Sequence, residues 1–123
     1  MSNNKDEYIE QHIKQRGISR IPKTEAEKKH TESMDADRYK KALDKCNQRI
    51  NSNPRDEQAY LERGDVYIYL SNPKEALRNY KRAIELNQRF IKAYYGMATA
   101  YALLGSNNNA IAAIAKALEL MDS

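Results

Sequence analysis

Few side chains in this sequence could perform covalent or metal chemistry. Cys46 is the single cysteine, and His12 and His30 are the only histidines among 123 residues. A thiol nucleophile needs a neighbouring base, and a zinc site needs several ligands at short, regular spacings. Neither histidine has a second ligand at such a spacing, and the chain has no glycine-rich phosphate loop and no H-E-x-x-H motif. We therefore predict no enzyme, no metal site and no cofactor, with Cys46 in the core and both histidines on the surface.

The composition sets further limits on the class of protein. The 21 basic and 17 acidic side chains give a net charge of +4, and the two signs are intermixed along the chain. A nucleic-acid-binding domain usually carries a denser basic stripe, so nucleic acid is a minor alternative here, to be recognised by a steep salt dependence of binding. The longest apolar runs are far shorter than the ~20 residues that a membrane span needs, and the first residues do not resemble a signal peptide. We expect a cytoplasmic protein that does not enter the membrane.

An internal repeat in the sequence indicates the structural elements that would position the remaining side chains. A shift of 34 residues aligns residues 57–86 with residues 91–120, and 8 of the 30 aligned pairs are identical. Random pairing would give about 2. The same shift makes Tyr39–Pro54 the second half of an earlier unit, whose first half, near residues 23–36, does not match. The sequence thus contains two full repeats and one preceding half repeat.

Each unit has the pattern of two helices joined by a tight turn. Apolar and small residues recur every three or four positions in residues 57–70 and again in residues 74–86, which places them on one face of each helix. Asn72 followed by Pro73 and Glu75 is a typical helix start. Gly105 can end a helix in the left-handed conformation, and Ser106 then stands at the next helix start. The sequence predicts an all-α fold.

These residues resemble the tetratricopeptide repeat. The resemblance covers residues 39–122 and rests on the 34-residue period, on the small and aromatic positions of each unit, and on a proline before the first full unit. In the first full unit these positions are Gly64, Ala76, Ala83, Tyr60, Tyr67 and Tyr80, with Pro54 before them. The usual leucine is replaced by Arg63. The resemblance implies a helix-turn-helix repeat domain over residues 35–123, a fragment of an α-solenoid.

In tetratricopeptide-like stacks, the first helix of each pair lines a concave groove. The resemblance therefore implies a peptide-binding surface on the sides of these helices that the core does not use. The side chains on this surface are Gln58, Leu61, Glu62, Asp65, Ile68 and Tyr69 in one unit, and Lys92, Tyr95, Gly96, Thr99 and Leu103 in the next. Several are apolar or aromatic, which suits peptide contact. The alternative is that they pack on the N-terminal arm.

One sub-type of this family holds the C-terminal carboxylates of heat-shock chaperones with Lys, Arg and Asn. Lys92 matches one of these lysines, but Gly96 replaces the expected Arg and Glu62 replaces the Asn. Glu62 and Asp65 would also repel a carboxylate. We expect a ligand with apolar side chains, and with a basic residue rather than a free carboxylate.

The two ends differ from the repeats. Residues 1–34 form a polar arm that we expect to be partly disordered or loosely helical, with one short helix over Asp6–Gln15. The arm either stays mobile or loosely docked, or it covers the open side of the half repeat or binds a partner. The last helix, roughly residues 107–121, offers a possible docking face formed by Ile111, Ala112, Ala115 and Leu118. The polar outer positions of the preceding unit, Arg78, Asn79 and Lys81, correspond here to Ala112, Ala113 and Ala115. Ile114 takes the inward position of Tyr80 and Cys46. Exposed apolar patches of this kind mark contact surfaces. The alternative is that small alanines are simply tolerated in a good helix.

These features predict a non-catalytic adaptor that binds a peptide segment of another protein in a concave groove. The alternative is a self-associating assembly protein that docks through its apolar C-terminal helix. The expected partner is a protein or peptide, or a second copy of this chain.

Overall fold

The structure, a computed structural model, describes the backbone of residues 25–123 and the side chains of residues 35–123. Its five α-helices are α1 (Glu25–Ser52), α2 (Glu57–Tyr69), α3 (Pro73–Leu86), α4 (Ile91–Leu103) and α5 (Asn107–Asp122), and no strand occurs in this part of the chain. The predicted all-α fold is confirmed. Apart from the helical backbone of residues 25–34, the predictions for the N-terminal arm, and for His12 and His30, lie outside the described residues.

Two of the described helices, α2 and α3, begin at a polar side chain that satisfies a free backbone amide. Asp56 accepts a hydrogen bond from the Ala59 amide at 3.0 Å, and Asn72 accepts one from the Glu75 amide at 3.3 Å. Pro73 occupies the first position of α3, as predicted. Ser106 stands at the predicted start of α5, but its side chain makes no capping hydrogen bond.

Helices α2 and α4, which are the first helix of each repeat unit, end in the same way. Ser71 has a φ of 59° and Gly105 has a φ of 78°, and these residues are 34 positions apart. The next amide in each case bonds back to the carbonyl five residues earlier: Asn72 to Tyr67 and Ser106 to Tyr101, both at 2.8 Å. This left-handed turn reverses the chain within a few residues. Each helix pair therefore forms a tight hairpin.

Small residues allow these hairpins to pack closely. Ala59, Ala76, Ala83, Ala93 and Ala100 are fully buried. Helix α2 packs on α3, α4 packs on α5, and α3 packs against α4, so the two hairpins stack. Stacking makes one continuous core out of units that could not bury their apolar faces alone. The unit Asp35–Ser123 contains both hairpins and this core.

The unusual Arg63 is accommodated by a polar pair inside the first hairpin. Its guanidinium donates to the Asn79 side chain at 2.6 Å and to the Asn47 side chain at 2.9 Å. Asn79, predicted to lie on the outer surface, is buried, and its amide nitrogen also donates to the Glu75 carbonyl. The equivalent pair one repeat later is Met97 and Ala113. A polar pair in one unit thus occupies the positions of an apolar pair in the next.

The C-terminal half of α1 attaches to the first hairpin. Ile50 packs against the core, and Arg49 forms ion pairs with Asp56 and Glu62. Cys46 is buried, as predicted. None of the described helices is both long enough and apolar enough to cross a bilayer.

Candidate peptide-binding groove

The stacked hairpins leave an open depression between α2 and α4, with α3 beneath it. Its volume is about 430 Å³. It is lined by Leu61, Asp65, Ile68 and Tyr69 from α2, by Tyr80 from α3, and by Lys92, Tyr95, Gly96 and Thr99 from α4. This depression is called the groove below.

Tyr80 forms the floor of the groove. Its ring lies between the backbones of two glycines, since a β-carbon added to Gly64 would stand 2.7 Å from the ring and one added to Gly96 would stand 2.5 Å from it. Only 1% of the residue is exposed. Both glycines are needed because a methyl group at either position would overlap the ring. The separation of α2 and α4 is therefore set by the thickness of one aromatic ring.

A hydrogen bond ties this floor to a carboxylate. The Tyr80 hydroxyl donates to Asp65 Oδ1 at 2.6 Å. Partial burial raises the pKa of Asp65, while the bond from Tyr80 and the charge of Lys92 lower it and offset part of that rise. Burial, with the neighbouring carboxylate, also raises the pKa of Tyr80 far above its usual value, so the hydroxyl stays a donor. The groove thus offers one acceptor and one cation above an apolar floor.

Aromatic side chains form the rim. Tyr69 is 66% exposed, and its ring stacks on Tyr39 of α1 with centroids 5.5 Å apart and planes 4° from parallel. On the other side, the Tyr95 hydroxyl donates to Met121 Sδ of α5 at 3.4 Å. Thr99 donates to the Tyr95 carbonyl, which holds its side chain against its own helix. Two exposed phenol rings therefore face the groove from fixed positions.

Eight of the eleven residues predicted to face the groove line it, but Gln58, Glu62 and Leu103 do not. Leu61 is 5% exposed and belongs to the core as well as the floor. Glu62 is not among the lining residues, and its carboxylate pairs with Arg49. Leu103 is exposed at the C-terminal end of α4, outside the groove. The repeat pattern identifies Tyr80 only as one of the aromatic positions of its unit. Gly64 and Gly96 are the sequence signal that a large ring lies between α2 and α4.

The predicted docking face on α5 is exposed, with two corrections. Ile111, Ala112, Ala115 and Leu118 are all exposed. Ile114, interpreted as an inward residue because it is equivalent to Tyr80, is 40% exposed. Ala113, interpreted as an outward residue, is buried, because like Asn79 it lies between the two helices of its hairpin. At 100° per residue, Ala112 lies about 100° around the helix from Ile111, so the two do not share one face.

Other chemistry-bearing side chains of the described region do not form a site. Burial raises the pKa of the Cys46 thiol, which keeps it protonated at neutral pH. No cluster of three or more metal-ligating side chains occurs between residues 35 and 123.

Comparisons with known proteins agree with this geometry. A family model described as "TPR repeat" matches residues 64–105, and one described as "Tetratricopeptide repeat" matches residues 91–120. Residues 64–120 are tetratricopeptide repeats. Repeats of this family indicate protein–protein interaction modules, which is the functional class that the match supports.

Solved structures similar to this chain and its tetratricopeptide repeats include crystal structures of MamA. One has a TM-score of 0.67 and 29% identity and covers 71% of this chain and 51% of MamA. A second has a TM-score of 0.66 and 29% identity, with 71% and 48% covered. A third, described as "MamA MSR-1 C2", has a TM-score of 0.65 and 25% identity, with 69% and 49% covered. The chain spans about half the length of the MamA chains that it matches.

Proposed function

We propose that this protein is a non-catalytic adaptor that holds a peptide segment of another protein in the groove between α2 and α4. The observation that carries the proposal is the exposed aromatic rim above a buried apolar floor. Tyr69 and Tyr95 are exposed, whereas other tyrosines of the repeats, such as Tyr60 and Tyr80, are buried. Exposed tyrosines beside a concave surface are typical of contact sites, because a phenol ring gives a large contact area and loses few rotamers on binding.

The size of the groove suits one or two side chains of a peptide. Its volume of about 430 Å³ falls within the range of ligand sites, which is roughly 300–1,000 Å³. Leu61, Ile68 and the Tyr80 ring supply apolar surface for a buried side chain. Because Tyr80 is fixed between two glycine backbones, the floor needs no rearrangement before binding, and a preformed site loses less entropy when it is filled.

The polar groups of the groove favour a peptide over a free carboxylate. Asp65 can accept a hydrogen bond from a peptide amide or a basic side chain, and Lys92 can donate to a peptide carbonyl. A carboxylate clamp needs a second cation beside Lys92, and the position one turn later is Gly96, which faces the Tyr80 ring. Arg49 is paired with Glu62 and Asp56, so its guanidinium is not free to act as this second cation.

Selection of displayed random peptides against the full chain, followed by affinity measurements, tests the proposal. We expect selected peptides to carry an aliphatic or aromatic anchor, and we expect Tyr69→Ala to weaken their binding at least fivefold, since loss of an aromatic hot spot costs about 1–2 kcal/mol. Thr99→Arg, which fills the groove from an exposed position, should abolish binding.

The matched control is Tyr94→Ala. Tyr94 lies on α4 outside the groove, where its hydroxyl donates to the Gln88 carbonyl. This variant should bind the selected peptides like the wild type. Peptides whose affinity is unchanged by both Tyr69→Ala and Thr99→Arg would show that the groove is not the binding site.

A further inference from the structure

The internal repeat shows which surface of α5 has no covering helix among the described residues. Tyr80 on α3 is 1% exposed because it lies between α2 and α4, whereas Ile114, its equivalent on α5, is 40% exposed. Leu77 and Ile84 of α3 pack partly buried against the core, whereas their equivalents Ile111 and Leu118 are 65% and 50% exposed. No helix among the described residues covers this side of α5 in the way that α4 covers α3.

The exposed apolar residues of α5 form a continuous stripe. Ile111, Ile114, Leu118 and Met121 are separated by three, four and three residues, and Met121 is also exposed. At 100° per residue they fall within an arc of about 80°. This is the spacing of the contact positions in paired helices, where each side chain inserts between residues of the facing helix. These four residues are called the α5 stripe below.

We propose that the α5 stripe is a self-association surface at which two copies of this chain pair their α5 helices in antiparallel orientation. The stripe carries no ionised side chain, so two identical stripes can face each other without opposing like charges. A two-fold axis through its centre sets Ile114 opposite Leu118 of the second copy, and Ile111 opposite Met121 of the second copy. A contact of this kind is closed, because each copy uses the same surface.

Charge at the ends of α5 favours the antiparallel orientation. The first turn of α5 has no acidic residue, and Ser106 makes no capping hydrogen bond, so the positive end of the helix is not compensated by its own side chains. Asp122 stands at the other end of the same helix. Antiparallel pairing brings Asp122 of one copy beside the uncompensated end of the other, whereas parallel pairing brings the two Asp122 carboxylates together.

The size of the stripe implies a weak, reversible dimer. About half of each of its four side chains is exposed, which corresponds to a few hundred Å² per copy. The total buried area would fall toward the lower end of the range for specific interfaces, below about 1,200 Å². Association is therefore expected to depend on protein concentration in the micromolar range.

Analytical ultracentrifugation of the full chain, from about 5 to about 500 µM, tests the proposal. We expect a monomer at the low end and a dimer at the high end, and we expect Leu118→Glu to weaken association at least tenfold. Leu118 is half exposed, so this variant should keep the helical content and melting temperature of the wild type. The matched control, Ala112→Glu, introduces the same charge into the same helix outside the stripe and should dimerise normally.

Cross-linking then tests the orientation, in a Cys46→Ala background. A mixture of Ile114→Cys and Leu118→Cys chains should form disulfide-linked dimers faster than Ile114→Cys alone. A chain that stays monomeric at 500 µM, or a dimer that Leu118→Glu leaves intact, would overturn the proposal. A dimer that Tyr69→Ala dissociates and Leu118→Glu does not would place the second copy in the groove instead, and faster linkage of Ile114→Cys to itself would overturn the antiparallel arrangement.

Discussion

Tyr80 connects the core of this protein with its candidate binding surface. Its ring lies close to both Gly64 of α2 and Gly96 of α4. Its hydroxyl reaches Asp65 in the groove. A single buried side chain therefore determines the spacing of the two helices that form the groove and orients the carboxylate between them. Changes at this residue should affect stability and ligand binding together.

The Tyr80 ring should decide whether Gly96→Ala raises or lowers the free energy of unfolding. Alanine in a helix interior is normally about 1 kcal/mol more favourable than glycine. Here the added methyl group would lie 2.5 Å from the Tyr80 ring, which is fixed on both sides, so we expect Gly96→Ala to lower the free energy of unfolding by about 1–2 kcal/mol. Urea denaturation measures this change.

The control is the same substitution in a Tyr80→Leu background. Leucine lacks the ring atoms that the new methyl group would meet, so Gly96→Ala should there be neutral or stabilising. An equal loss in both backgrounds would show that the ring does not limit the approach of the two helices.

Some side-chain positions could not be predicted because they depend on partners from other helices. Asn79 lies on a helix face where polarity favours an outward interpretation, yet it is buried because Arg63 and the Glu75 carbonyl satisfy its amide. Ile114 has the inward position of its repeat equivalent, yet it is exposed because no described helix follows α5. Periodicity assigns a face to each residue, but it does not report what covers that face.

At the scale of elements, the helix ends were the most predictable feature. Asn72 and Pro73 marked the start of α3, and Gly105 marked the left-handed turn after α4, because these residues act through local backbone chemistry. Helix α1 was less predictable. The repeat match begins only at Tyr39, since residues 25–33 have almost no apolar stripe. Glutamate, alanine and lysine are nevertheless strong helix formers, and the helix begins at Glu25.

Replacement of Ser71 by glycine should stabilise the first hairpin. Ser71 has a φ of 59°, a conformation that costs a residue with a β-carbon about 1 kcal/mol and costs glycine little, and its repeat equivalent is Gly105. We expect Ser71→Gly to raise the free energy of unfolding by about 0.5–1 kcal/mol, measured by urea denaturation.

Ser106→Gly is the matched control for this prediction. Ser106 has a φ of −90°, so glycine gains nothing from the backbone there and should leave stability unchanged or slightly lower. If both variants changed stability by the same amount, the left-handed turn would not be the cause.

At the scale of the whole molecule, the position of the groove followed from the repeat and its details did not. The 34-residue period and the family resemblance were enough to select the exposed sides of α2 and α4. They could not show that Glu62 pairs with Arg49, or that Tyr80 rises into the floor, because both depend on how neighbouring helices stack. The groove and the α5 stripe adjoin where Tyr95 contacts Met121. Leu118 and Tyr69 belong to different helices, so each surface can still be changed independently of the other.

Chemical-shift mapping tests the binding role of the groove most directly. In proton–nitrogen correlation spectra of the full chain, titration with a selected peptide should give the largest shifts at Asp65, Ile68, Tyr69 and Thr99, with little change on the opposite side at Ile84 and Gln88. The same titration of Thr99→Arg should give almost no shifts. Largest shifts at Ile84 and Gln88, or along the α5 stripe at Ile111 and Leu118, would contradict a binding site between α2 and α4.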